Sequence, residues 1–164
     1  SEPTTADISE RLTAFHQPYH LALHEEITRI KDMHGVAILF DCHSIRSNIP
    51  YLFEGTLPDF NVGTDGGKTC AKEVEQIVES TCGAADGYSS VLNGRFKGGW
   101  TTRNYGQPRQ NIHAIQLEIA QTTHLSVETP PFDYDQKRAA RLQIHLKTIL
   151  EKLAVLAPSL GAIS

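Results

Sequence analysis

Apolar residues Ile8, Leu12, Phe15, Tyr19, Leu23, Ile27 and Ile30 recur at steps of three and four, so the spacing predicts a helix over residues 8–33. Asp7 with Glu10 three residues on predicts a capping box at its start. Pro18 predicts a kink or a split, and Gly35 a stop. Val36 to Asp41 (VAILFD) is a short continuous apolar run, the pattern of a strand buried on both faces. Polar residues begin at its carboxyl end with Asp41, His43, Ser44 and Arg46, where open α/β sheets bind ligands. Residues 54–69 have no period and read as a long loop with two Gly-rich turns. Val74, Ile77 and Val78 predict a helix over 71–81. Residues 88–93 read as a second strand, 94–106 as a Gly-rich, aromatic and basic loop, and 112–120 (IHAIQLEIA) as a third strand. A terminal helix over 134–156 would turn Leu142, Leu146, Ile149, Leu150, Leu153 and Leu156 to the core.

This order of elements predicts an α/β layered fold: an α/β/α arrangement on a mostly parallel or mixed sheet, in a chain of 164 residues read as a single domain. Three strands are legible, whereas a sheet covered on both faces commonly has about five. The chain is therefore expected to be short of strands or to be part of a longer one.

Composition narrows the functions. The chain is 40% hydrophobic, enough for a sizeable core. A net charge of −4 gives no electrostatic footprint for nucleic acid, although it leaves room for a local basic pocket. No apolar run approaches the ~20 residues of a membrane span, and the polar, acidic start does not read as a signal peptide. Cys42, Cys70 and Cys82 have no CxxC spacing, so they form neither a disulfide framework nor a zinc ribbon; they read as free thiols and point to the cytoplasm. Neither a Walker loop nor GxGxxG is present.

The candidate chemistry lies in a few places. In Asp41-Cys42-His43-Ser44, His43 is either a metal ligand with Asp41 orienting its ring or a turn histidine. Cys42 and His43 do not make a nucleophile and base, because strand neighbours point to opposite faces. Glu118 stands in an otherwise apolar strand on the face of Ala114 and Gln116. A carboxylate there is costly unless paired, metal-bound or at a strand end near solvent, so it is either a general base with a tuned pKa or a structural ion pair with a loop arginine. Arg46, Arg95 and Arg103, on Gly-rich or post-strand segments of an acidic chain, suit a carboxylated or phosphorylated small molecule, or are solvated loop charges. His16, His20 and His24 form an i, i+4 stripe, but Leu21 stands where HExxH needs Glu; a solvated or cap-bonding stripe is the simpler reading. His113 serves either strand-end packing or the site.

Taken together, the chain resembles the N-formylglutamate amidohydrolase (N-formylglutamate deformylase) family. The stretches that carry the resemblance are Pro18-Tyr19-His20, LFDCHSIRS with IP after it (39–50), LFEGTLPDFNVGT (52–64), NGRFKGG (93–99), TTRNYG (101–106), IHAIQLEIAQ (112–121) and ETPPF (128–132). Trp100 and Asn104 depart from the family's more usual residues. The family's segment before this region, with its PHxG-like stretch and acidic residues, has no counterpart here, so the chain resembles the C-terminal part of a longer protein.

The resemblance implies an α/β/α scaffold like that of zinc carboxypeptidases and cell-wall amidases, apparently without its N-terminal strands. It implies hydrolysis of N-formyl-L-glutamate to formate and L-glutamate in histidine breakdown. In that scheme His43 is a ligand of Zn2+, the other ligands lie in the absent segment, Glu118 is the general base and Asp41 is a partner of His43. Arg46, Arg95 and Arg103, with Asn93, would hold the two carboxylates of a small dicarboxylate substrate. Two other readings remain: an amidohydrolase for another N-acyl amino acid or a cell-wall amide, and a non-catalytic domain that binds an acidic metabolite.

Overall fold

The computed structural model describes residues 2–161. In chain order the elements are α1 (Thr5–Arg11), a π-helical turn (Leu12–His16), α2 (Gln17–His34), β1 (Ala37–Ile45), β2 (Phe60–Gly63), α3 (Lys72–Gly83), β3 (Ser90–Leu92), α4 (Trp100–Tyr105), β4 (Ile112–Ala120) and α5 (Gln136–Gly161). The four strands form one mixed sheet in the order β1-β4-β2-β3. β1 runs parallel to β4 and β2 parallel to β3, while β2 and β4 are antiparallel.

Strand alternation divides the sheet's side chains between two helical layers. Ile115, Leu117 and Ile119 of β4 and Phe60 and Val62 of β2 pack against Val74, Val78 and Cys82 of α3 and Leu142, Ile149 and Leu153 of α5. On the other face, Ala37 and Leu39 of β1 and Ile112 of β4 meet Leu23, Ile27 and Ile30 of α2 and Tyr105 of α4. The layered α/β reading of the sequence therefore describes this fold, and its sheet is of the mixed kind.

Local expectations fared unevenly. Gly35 ends α2 in the left-handed conformation (φ 76°), as its place after the periodic run predicts. The capping box is one turn earlier than expected: Asp7 N–H donates to the Thr4 hydroxyl, and the Asp7 carboxylate accepts from Thr4 N–H. Pro18 does not break the helix. The backbone stays helical through His16 and Gln17, and the π turn just before Pro18 is the local departure by which the helix accommodates a residue with no N–H. Ile8, Leu12, Phe15 and Tyr19 are exposed rather than core-facing.

β1 runs on past Asp41 to Ile45, so the Asp41–Ser44 stretch is strand and not the loop after one. The expected loop over 54–69 hides β2, four buried residues at the middle of the sheet. The expected loop over 94–106 holds α4. In α5, Leu142, Ile149 and Leu153 are buried as expected, Leu146 and Leu156 are partly buried, and Leu150 is half exposed.

Candidate active site

Pairing between β1 and β4 sets Asp41 opposite Gln116 and His43 opposite Glu118. Alternation places all four side chains on the α2/α4 face, and Cys42 and Ser44 on the other. β2 adds Asn61 opposite Glu118 and Gly63 opposite Gln116. Two cross-strand rows thus meet on one face near the carboxyl ends of β1 and β4.

Asp41 Oδ1 lies 2.9 Å from His43 Nε2, which ties one ring nitrogen, while Nδ1 makes no hydrogen bond among the described residues. The imidazole is half exposed, with 48% of its side-chain surface accessible. The other oxygen of Asp41 accepts from the hydroxyl of Thr102 at 3.0 Å. Thr102 sits on α4 and is fully buried.

Glu118 is 6% exposed. Its Oε2 accepts from Gln116 Nε2 at 3.2 Å, and it joins no ion pair among the described residues, so the structural pairing with a loop arginine is not formed. Burial pushes its carboxyl above the usual carboxylate range. The neighbouring His43 and the Gln116 hydrogen bond pull it back, and Asp41 adds to the rise. Gln116 Oε1 accepts from Gly99 N–H at 2.5 Å and faces the Thr102 hydroxyl at 3.4 Å. The 97–99 segment can lie this close because Gly63 has no side chain: a Cβ there would collide with the backbone of Lys97 and Gly98.

The other candidates are spread around this centre. The Asn93 amide is engaged by the loop beyond β2: its Oδ1 accepts from Thr64 N–H (2.9 Å) and Gly66 N–H (3.2 Å), and its Nδ2 donates to the Thr64 hydroxyl (2.8 Å). Arg103 Nη1 donates to the Gly98 carbonyl. Arg46 and Arg95 are exposed and form no ion pair among the described residues. Arg46 lines a cleft of about 450 Å³ with Gln121, Glu128, Thr129 and Phe132. Its wall is braced by Glu128, which accepts from Ser47 N–H (2.8 Å) and the Ser47 hydroxyl (2.6 Å).

Among the described residues the histidine stripe joins no group of three possible metal ligands. His20 Nδ1 lies 2.8 Å from the Tyr105 hydroxyl, and its ring packs on Trp100 with centroids 4.8 Å apart. His113 belongs to packing: it is buried on the opposite face from Glu118, and its Nδ1 accepts from Ala71 N–H at 3.1 Å. Cys42 is exposed, Cys70 and Cys82 are buried, and all three are free thiols; burial pushes Cys70 and Cys82 up to about 12.

Among the described residues no group of three or more His, Cys, Asp or Glu side chains could hold a metal ion. His43 Nε2 is tied to Asp41, and Nδ1 makes no hydrogen bond among the described residues, so the imidazole could supply one donor to a metal but not a complete set. Sequence reasoning named Asp41, His43 and Glu118 but not Thr102, which links Asp41 to α4. Gln116 was visible only as a polar neighbour on the strand face of Glu118.

Fold and site together define an α/β domain with a histidine–carboxylate pair set against a buried glutamate across two parallel strands. The N-formylglutamate amidohydrolase family profile matches residues 1–125, and the chain belongs to that family. It is 46% identical over 151 residues to the N-formylglutamate deformylase of Pseudomonas aeruginosa, covering 92% of this chain and 56% of that protein. The N-formylglutamate deformylase of Pseudomonas putida matches with the same identity and the same shares. A crystal structure of N-formylglutamate amidohydrolase from Ralstonia eutropha JMP134 shares the fold with a TM-score of 0.78 at 24% identity, over 93% of this chain and 56% of that one. The chain thus spans about half the length of the curated relatives it matches.

Proposed function

We propose that the chain carries the His43–Glu118 part of a site that hydrolyses N-formyl-L-glutamate to formate and L-glutamate. The observation that carries this is the register of β1 and β4, which sets His43 directly opposite a buried Glu118 on one face. The printed names of the two Pseudomonas relatives support the substrate.

In this reading Glu118 is the general base. Burial raises its pKa above the ordinary carboxylate value, which makes the carboxylate a stronger base. A Glu118 carboxylate oxygen takes a proton from the attacking water as the water oxygen bonds to the formyl carbon. The same oxygen gives the proton to the departing amine nitrogen as the C–N bond breaks, so the carboxylate is regenerated. His43 would hold Zn2+ through Nδ1, with Asp41 fixing the ring through Nε2. Zinc, when bound, supplies a water of lowered pKa and polarises the formyl oxygen. The remaining ligands are taken to come from sequence that the relatives have beyond the matched region. Arg46, Arg95 and Arg103 are the cations available for the two substrate carboxylates, and guanidinium matches carboxylate in a fork geometry. Asn93 has a subsidiary part, since its amide is largely engaged by the 64–66 loop. Three free cysteines suit a reducing compartment such as the cytoplasm.

The test is formate release from N-formyl-L-glutamate, with N-acetyl-L-glutamate alongside. It is run on the chain and on a chimera in which the chain replaces the matching part of the P. aeruginosa relative. Turnover of the formyl substrate that disappears in Glu118→Gln is the expected result. A chimera that folds, yet turns over neither substrate, overturns the reading; preference for the acetyl compound moves the specificity.

A further inference from the structure

Five polar side chains crowd the α2/α4 face in two hydrogen-bonded sets, because the single Thr102 hydroxyl proton goes to Asp41 at 3.0 Å and leaves the longer approach to Gln116 Oε1 a contact between two acceptors. His43 Nε2 meets Asp41 Oδ1 (2.9 Å), Asp41 Oδ2 accepts from the Thr102 hydroxyl (3.0 Å), that hydroxyl also faces Gln116 Oε1 (3.4 Å), and Gln116 Nε2 donates to Glu118 Oε2 (3.2 Å). The middle of this group is its most buried part: Thr102 is 0% and Gln116 4% exposed. Gln116 is also pinned from outside the sheet. Gly99 N–H donates to its Oε1 at 2.5 Å, so the amide cannot flip without facing one N–H with another. A Cβ at position 99 would stand 3.3 Å from that same oxygen, so glycine there leaves room for the bond.

We propose that Gln116 is a positioning residue: held by Gly99 N–H, its amide fixes the Glu118 carboxylate in one orientation. This rests on the reading of Glu118 as the general base and deepens it. A buried carboxylate on a flexible side chain has several rotamers, and losing its one donor would both unpin it and leave it unpaired. Gln116 has both functions at once because an amide can donate toward Glu118 and accept from Gly99. Leucine has the volume but neither function, whereas glutamate keeps the acceptor and loses the donor.

Gln116→Leu, Gln116→Glu, Glu118→Gln and the double variant Gln116→Leu/Glu118→Gln test the proposal, structurally in the chain and by turnover in the chimera that supplies the rest of the site. Crystal structures of the wild type and of Gln116→Leu show where the Glu118 carboxylate lies, whatever the turnover. The expected structural result is one Glu118 rotamer in the wild type and a displaced or divided one in Gln116→Leu; an unmoved Glu118 overturns the proposal. In formate release, both Gln116 variants should lose about 10- to 100-fold in kcat with KM little changed. Gln116→Leu should cost nothing further in the Glu118→Gln background. If kcat survives Gln116→Leu but falls in Glu118→Gln, the positioning role is wrong and the general base stands. If kcat survives Glu118→Gln, the general base is wrong and the positioning role falls with it.

Discussion

His43 of β1 and Glu118 of β4 are register partners on adjacent parallel strands, on the same face of the sheet. They are far apart in sequence, and a shift of either strand by one residue would turn its member of the pair to the opposite face. The pair therefore depends on the same backbone ladder that holds the core.

Glu118→Gln keeps the shape of the side chain and removes its basicity. Loss of turnover by about 10²- to 10⁴-fold is expected, with the fold retained. Formate release and circular dichroism measured on one preparation of the chimera check it.

His43 alone cannot close a metal shell, because among the described residues no group of three or more possible ligands is assembled. The isolated chain should therefore hold zinc weakly and lose it on dialysis. Elemental analysis of the dialysed protein measures this, and a tight stoichiometric metal would show that another local group completes a site.

Gly63→Ala drives a methyl group into the backbone of Lys97 and Gly98. A loss of about 1–3 kcal/mol in stability is expected from such overpacking. Turnover should fall as well, since displacing this segment stretches the Gly99–Gln116 hydrogen bond. Thermal melting and kcat are the two measurements.

His113 is held neutral, its pKa lowered by burial, with Glu73 opposing. Its Nδ1 must stay unprotonated to accept Ala71 N–H. The folded chain then binds fewer protons here than the unfolded one. The stabilisation is present above the ordinary histidine value of 6.5 and is lost as pH falls through the lowered folded value. Urea midpoints of the wild type should drop on going from pH 7 to pH 5, and the drop should be smaller in His113→Asn. Equal slopes in the two proteins would show that His113 does not contribute.

Long periodic segments were legible because their burial is written locally. α2, α3 and α5 repeat apolar residues at helical spacing, and β4 is an apolar run whose lone carboxylate announced itself by its cost. β2 was not legible. Phe60–Gly63 is four residues with an Asn and a Gly, and it is a strand because β4 and β3 flank it. α4 was hidden among glycines for a similar reason: its Thr102 bonds to Asp41 across the face, a contact no local pattern encodes. Ile8, Leu12, Phe15 and Tyr19 show the converse, a helical period that is real and yet covers no core among the described residues.

The sequence by itself determined which side chains share a strand face, because alternation is a property of the extended backbone. Gln116 with Glu118 follows from counting by twos, whereas Asp41 with His43 needed β1 to run on past Asp41, which the sequence pattern did not show. The tertiary structure alone decided that these two pairs face each other and that Thr102 of α4 is bonded to Asp41. Strand register and helix placement are set by packing between distant segments, and that packing is a sum over the whole core rather than a feature of any one stretch.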